Sequence, residues 1–253
     1  LTMTNLLNVS RQAAPIIIIG VGMTFVMATA GIDLSVGSTV ALVSVLTSSW
    51  LVLGIPAVVV IPLIILVGAI IGAMNGLVIT LGVPAFVVTL AALTSIRGVA
   101  FVYSDGYAVP IADPVFVWIG RGDVLGVNTP FLIAIIVAAL GWFLLNHTRF
   151  GLYALATGGR EEAAGVMCLS IKRIKVMVYA LTGALAGLAG VVVSARLSNG
   201  SPNAGMMLEL EVIAATVLGG TSLFGGRATI MGTVAGALLI NFVRNGLNLL
   251  GVN

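Results

Sequence analysis

Long apolar runs separated by short polar breaks dominate the chain. A membrane-spanning helix needs about 20 predominantly apolar residues. On that measure, runs lie at 14–31, 36–54, 57–80, 83–103, 130–146, 174–196 and 230–250. An eighth, 206–220, is short and carries Glu209 and Glu211 near its start, which suits a re-entrant or half-buried helix as well as a full crossing. No run alternates apolar and polar residues as a membrane barrel strand does. Backbone groups in lipid must be satisfied within their own segment, so the runs predict helices. The fold class expected is all-α, a polytopic transmembrane helix bundle of about eight spans with broken or re-entrant segments.

Composition narrows the classes further. Of 253 residues, 60% are hydrophobic and 8% are charged, where a soluble domain averages about 45–50% and about 25%. Eleven basic and eight acidic residues do not cover the surface of a soluble globule of this size. A soluble enzyme, a disordered tail and a nucleic-acid binder are thereby excluded. The net charge of +3 reflects scarcity of charge rather than a basic surface. Cys168 is the single cysteine and His147 the single histidine, so neither an internal disulfide nor a thiolate or zinc cluster is expected. The only lysines, Lys172 and Lys175, lack the glycine spacing of a phosphate loop, and no serine nucleophile elbow occurs. No catalytic residue, bound cofactor or metal is expected on this chain. It opens at Leu1 without a signal-like segment, which reads as part of a longer protein.

Charge placement orients the runs. Residues 147–175 hold Arg149, Arg160, Lys172, Arg173 and Lys175, and the positive-inside rule places this stretch in the cytoplasm. The 104–129 stretch, with Asp105, Asp113, Arg121 and Asp123, then reads as an extracytoplasmic loop, and Asp33 falls near the inner side. Trp50, Tyr103, Tyr107 and Trp118 sit near the expected outer ends, as an aromatic belt would. The chain is thus expected to form one transmembrane domain over 1–253.

Several residues invite a role. Asp33 lies in TAGIDLSVGS between two apolar runs, where a carboxylate needs a partner or water. Asp33 or Ser35 is expected to cap the helix that follows, with a polar element lining the transport path as a compatible reading. Arg97 lies inside a run and is expected to face water, to pair with Asp33 or a glutamate, or to snorkel. Glu209 and Glu211, two apart, point in different directions on a helix. Gly68, Gly72 and Gly76, Gly183 and Gly187, and Gly232 and Gly236 are spaced for close helix packing within the molecule. The breaks at 31–38 and 220–226 echo one another weakly, as broken helices of repeat-built transporters do. In the basic stretch, Glu161 and Glu162 begin a short amphipathic piece. Its small Ala163, Ala164 and Gly165 and apolar Met167, Leu169 and Ile171 suit docking to a soluble partner.

These segments also resemble a known family. GMTFVMATAGIDLSVGS (22–38), VPAFVVTLAALTSIRGVA (83–100), HTRFGLYALATGG (147–159), ALTGALAGLAGVVVSARLSNGSPNAG (180–205), LELEVIAATVLGGTSLFGG (208–226) and NGLNLLGV (245–252) resemble bacterial ATP-binding-cassette (ABC) sugar permeases of the ribose type, in the same order and over nearly the whole chain. The resemblance implies about ten membrane helices in all, with one before Leu1 and one after Asn253. It implies import of a ribose-like pentose or hexose across the bacterial inner membrane by alternating access, with no enzymatic activity on this chain. ATP and Mg would be bound by a separate ATPase. Other partners implied are a second permease copy, identical or not, and a periplasmic or lipid-anchored sugar-binding protein.

The stretch around Gly159–Ile171 would then be the coupling loop, contacting the ATPase through Glu161, Glu162, Ala163, Ala164, Gly165, Met167, Leu169 and Ile171. Where the family usually has a Gly-Ile pair late in this loop, Leu169-Ser170-Ile171 stands here. The candidate translocation path comprises Asp33, Ser35, Ser38, Asn75, Phe86, Thr89, Arg97, Glu209 and Glu211. An ABC permease for a branched-chain amino acid or other small solute, and an ion-coupled secondary transporter using Asp33, Glu209 and Glu211, are the alternatives.

Overall fold

The computed structural model describes residues 3–124, 126–159 and 170–251. Among them are ten helices: α1 (Met3–Ala28), α2 (Val36–Val52), α3 (Ala57–Ile79), α4 (Ala85–Tyr103), α5 (Pro114–Arg121), α6 (Thr129–His147), α7 (Arg149–Gly159), α8 (Ile171–Leu197), α9 (Leu208–Leu218) and α10 (Ile230–Leu249). Four two-residue strands, β1 (Val109–Pro110), β2 (Asp123–Val124), β3 (Val127–Asn128) and β4 (Asn199–Gly200), form two small ladders.

Six helices, α1, α3, α4, α6, α8 and α10, are long and apolar enough to cross a membrane. The sequence led us to expect about eight. The other two runs fold as α2, of 17 residues, which stops at Val52 before the left-handed Gly54, and α9, of 11, which lies between the left-handed Met207 and the turn at Gly219–Gly220. The chain is a multi-pass membrane protein. Conversely, α1 starts well before residue 14: nothing in its polar first turns breaks a helix, and Pro15 is carried inside it. The 104–129 stretch is more ordered than a plain loop. Asp113 accepts from the amides of Val115 and Phe116, Pro114 fills the first turn, and buried Phe116 anchors α5 beside α8. Residues 149–159, read as loop, form α7.

The bundle is organised around α1, which is buried along almost its whole length and touches α6, α8, α9 and α10. At one end of the bundle lies the 104–128 loop; at the other lie α7 and the first turn of α8 with Lys172 and Arg173. The tightest pairing is antiparallel, between α3 and α8. A Cβ on Gly68 would overlap the carbonyl of Gly183, and one on Gly72 the carbonyl of Tyr179. Only hydrogen at these positions lets the two backbones meet, which is the role read from the spacing. Gly232 and Gly236 do the same for α10 against Gly219 and Ala215, next to and within α9.

The stretch after α8 is an irregular part of the bundle. Ser198 turns the chain in a left-handed conformation, and Met207 resumes α9 from another. Between them the chain runs antiparallel to α2: the Ser201 amide donates to Ser44 Oγ at 3.0 Å, Gly200 lies against Ser44 and Ser48, and Gly205 against Gly37 and Val40. From Gly37 to Ser44 the helix rises about 10 Å, and residues 200–205, folded in turns with the Ala204 amide donating to the Ser201 carbonyl at 3.0 Å, cover that distance. Residues 199–207 therefore descend from the loop end to about mid-bundle, and α9 continues from there.

Substituting alanine at Gly72 should destabilise the protein by about 1–3 kcal/mol through overpacking. Alanine at Gly98, which faces open space in the interior of α4, should instead raise stability by about 0.5–1 kcal/mol through helix propensity. Thermal unfolding of the two purified variants in detergent checks the contrast.

Candidate functional site

The break between α1 and α2 is the most polar buried segment of the bundle. The chain leaves α1 at Thr29, whose hydroxyl donates to the Val26 carbonyl at 2.8 Å, and passes through a left-handed Ala30. The backbone between Ala30 and Ser35 leaves the helical ladder and, past the exposed Ala30, is mostly buried, so other elements supply its hydrogen bonds. Tyr179 of α8 donates its hydroxyl to the Ile32 carbonyl at 3.2 Å. Thr89 of α4 lies 3.4 Å from the same oxygen and donates to Ala85 at 2.9 Å. Asn75 of α3 donates to Ser35 Oγ at 2.9 Å. Three helices thus each contribute one polar side chain to a single turn.

Asp33 sits at the centre of this seam, 1% exposed. Its Oδ1 accepts from the Ser35 amide at 2.9 Å and the Ser35 hydroxyl at 2.6 Å. The capping expectation needs correcting here. Ser35 is the residue before α2 but makes no side-chain bond to the first turn of that helix. Its own φ and ψ are helical, and its hydroxyl is already committed to Asp33 and Asn75. Asp33 secures the turn before the helix instead. Ser38 completes the seam by donating to the Ser35 carbonyl at 2.8 Å. A cavity of about 250 Å³, lined by Thr29, Gly31, Pro84, Lys175 and Tyr179 among others, opens beside the seam.

Arg97, two turns beyond Thr89 on α4, braces the second break. Its guanidinium donates to the carbonyls of Pro202 at 3.1 Å, Ala204 at 3.4 Å and Gly205 at 3.5 Å. These acceptors belong to the descending segment, so Arg97 does not pair with Asp33. Glu209 feels the charge of Arg97, lies against Gly37 and keeps Oε2 buried without a donor. Glu211 points elsewhere, as its spacing implied, and forms an ion pair with Arg244.

Of the nine candidate path residues, Asp33, Ser35, Ser38, Asn75 and Thr89 form the seam, while Arg97 and Glu209 meet at the neighbouring break. Glu211 belongs to a different cavity, and Phe86 is exposed on the bundle surface. Ile171 begins α8 half-exposed. Glu161, Glu162, Ala163, Ala164, Gly165, Met167 and Leu169 lie outside the described residues. The sequence reading missed Tyr179, hidden in an apolar run. A tyrosine there was itself the signal, since a buried phenol seeks an acceptor. It also missed Arg244 as the partner of Glu211.

The whole chain has known relatives. A family model described as the permease component of branched-chain amino acid transport systems matches residues 5–253. A ribose import permease protein of Haemophilus influenzae is 44% identical, over 98% of this chain and 79% of its own. That of Escherichia coli K12 is 45% identical, over 100% and 80%. A D-allose transport system permease protein of the same strain is 37% identical, over 100% and 78%. No solved structure matches.

Asp33→Leu should leave the two Ser35 donors buried without an acceptor, at about 1–3 kcal/mol each. Asp33→Asn keeps an oxygen in place and should be milder. Uptake normalised to membrane level, with the thermal midpoint in detergent, should rank wild type first, Asn next and Leu last. Full uptake by the Leu variant would remove Asp33 from the path.

Proposed function

The chain belongs to the family of branched-chain amino acid transport system permease components, and from that premise we propose that it is the membrane permease of an ABC importer for a monosaccharide. The observation that carries the reading is the full-length identity to ribose and allose permeases. It belongs with an inner-membrane complex of two permeases, two ATPases and an external sugar-binding protein.

On this reading the basic end faces the cytoplasm and the 104–128 loop faces outward, where the binding protein delivers its sugar. The six long helices, α2, and the unit made of residues 199–207 with α9 together make eight crossings. The path runs beside the seam. Hydroxyls and amides with satisfied partners, such as Ser35, Asn75 and Thr89, present a polar wall without a fixed charge free to trap the solute. The two non-helical breaks, braced by α3, α4 and α8, are the places where the bundle can shift between outward and inward states. ATP drives that shift through partners whose affinity differs between the two states. The contact would be the loop that holds Glu161–Ile171, next in sequence to α7. Gly158 of α7 abuts Ala28 and Gly225, so a push there reaches both the end of α1 and the loop before α10.

A second reading, import of a branched-chain amino acid, follows from the description of the matching family. Proteoliposomes holding the permease, its ATPase and its binding protein should take up labelled ribose only with internal ATP. Unlabelled ribose should compete and leucine should not. The reverse competition favours the amino acid, and uptake driven by a proton or sodium gradient without the ATPase would replace the ABC assignment. Placing tryptophan at Ala164 and Gly165 should reduce both ATPase capture and uptake to background while the permease still inserts. Normal capture and uptake would move the coupling contact elsewhere.

A further inference from the structure

A second polar cavity lies apart from the seam, beside the descending segment. It holds about 530 Å³ between the loop-end halves of α1, α8 and α10, with Met206 and Leu208 on its wall. Arg11 of α1 and Arg196 of α8 enter it together and repel one another. Neither forms an ion pair among the described residues, and the Nε of each is buried without an acceptor. The third cation of the cavity, Arg244, is already neutralised by Glu211. The cavity therefore carries two positive charges side by side without a counter-charge among the described residues, in the turns of α1 and α8 nearest the loop end, an arrangement that an anion offsets.

A neutral sugar leaves this charge standing, so the cavity is not a second site for the transported solute. The surroundings also limit the anion. The two arginines stand in the loop-end turns of α1 and α8, with Pro15, Ile16 and Val193 farther along the same helices, and the rim includes exposed Leu197 and Met206. A ligand with an anionic head and apolar chains matches both parts. Guanidinium groups suit phosphate because they are planar, permanently charged and donate in a fixed fork.

We propose that Arg11 and Arg196 form a binding site for the phosphodiester headgroup of an anionic glycerophospholipid, with its acyl chains running over Leu197 and Met206. Bound there, the lipid ties α1 to α8 beside the descending segment. The site therefore makes stability depend on lipid headgroup rather than on sugar.

The test uses the purified permease in its intact complex. Native mass spectrometry after equilibration with equimolar phosphatidylglycerol and phosphatidylcholine should show phosphatidylglycerol retained by about tenfold, a difference of roughly 1.4 kcal/mol. Phosphatidylglycerol should also raise the thermal midpoint in detergent where phosphatidylcholine does not. Arg11→Gln with Arg196→Gln should abolish both preferences, whereas Arg121→Gln on the surface should keep them. Equal retention of the two lipids by wild type overturns the proposal, as does a preference that survives the double variant. Stabilisation by inorganic phosphate alone, without lipid discrimination, makes the cavity a free-anion site and overturns the lipid assignment. Should the double variant fail to purify, the wild-type headgroup comparison decides.

Discussion

Backbone that is not helical must find hydrogen-bond partners without water, and that constraint organises this bundle. Two stretches, 29–35 and 198–207, leave helical geometry inside it. Each is held by side chains from other helices: Asn75, Thr89 and Tyr179 on the first, Arg97 and Ser44 on the second. In lipid an unsatisfied peptide group costs several kcal/mol, so these few polar residues are structural necessities before they are transport residues. The α4 helix braces both breaks, which couples them: a shift of α4 changes the support of both at once.

The glycine contacts set where those braces stand. With Gly68 and Gly72 against Gly183 and Tyr179, the α3 and α8 backbones lie in direct contact, and this fixes Asn75 and Tyr179 on the two sides of the same turn. Close packing of small residues substitutes here for the hydrophobic driving force that lipid cannot provide between helices. Rigid packing on α3 and α8 beside two non-helical breaks gives the molecule a firm half and a half able to rearrange. Alternating access needs both, because packed interfaces switch between discrete arrangements rather than deforming smoothly.

Charge is distributed on the same principle. The buried carboxylate Asp33 has neutral donors, Glu211 has Arg244, and Arg97 has three carbonyls. Glu209 Oε2, Arg11 and Arg196 break the pattern, and the two arginines share one cavity, which is why that cavity points to a ligand from outside the chain.

The sequence by itself determined the class of molecule. Apolar runs and scarce charge identified a multi-pass helical protein, glycine spacing marked the faces that meet closely, and GIDLSVGS marked one of the two breaks, while the other break read from the sequence, 220–226, is the loop between α9 and α10 rather than the segment 198–207. Those features are local, written within one or two helical turns. Six of the runs became helices long enough to span, while two became shorter ones, ended by left-handed residues at Gly54 for α2 and bounded by Met207 and Gly220 for α9. Tertiary structure alone decided which polar side chains meet. Asn75 and Ser35 are 40 residues apart, and Arg97 and Pro202 are 105 apart. No periodicity connects such positions. Asp33 was legible as a buried carboxylate, but its role in holding the turn rather than capping α2 depended on Ser35 being claimed by α3. Tyr179 carried a signal as a phenol in an apolar run, but only the docking of α8 beside the break gives it the Ile32 carbonyl as acceptor. The local pattern selects helices and breaks; only docking of those helices assigns each buried polar group its partner.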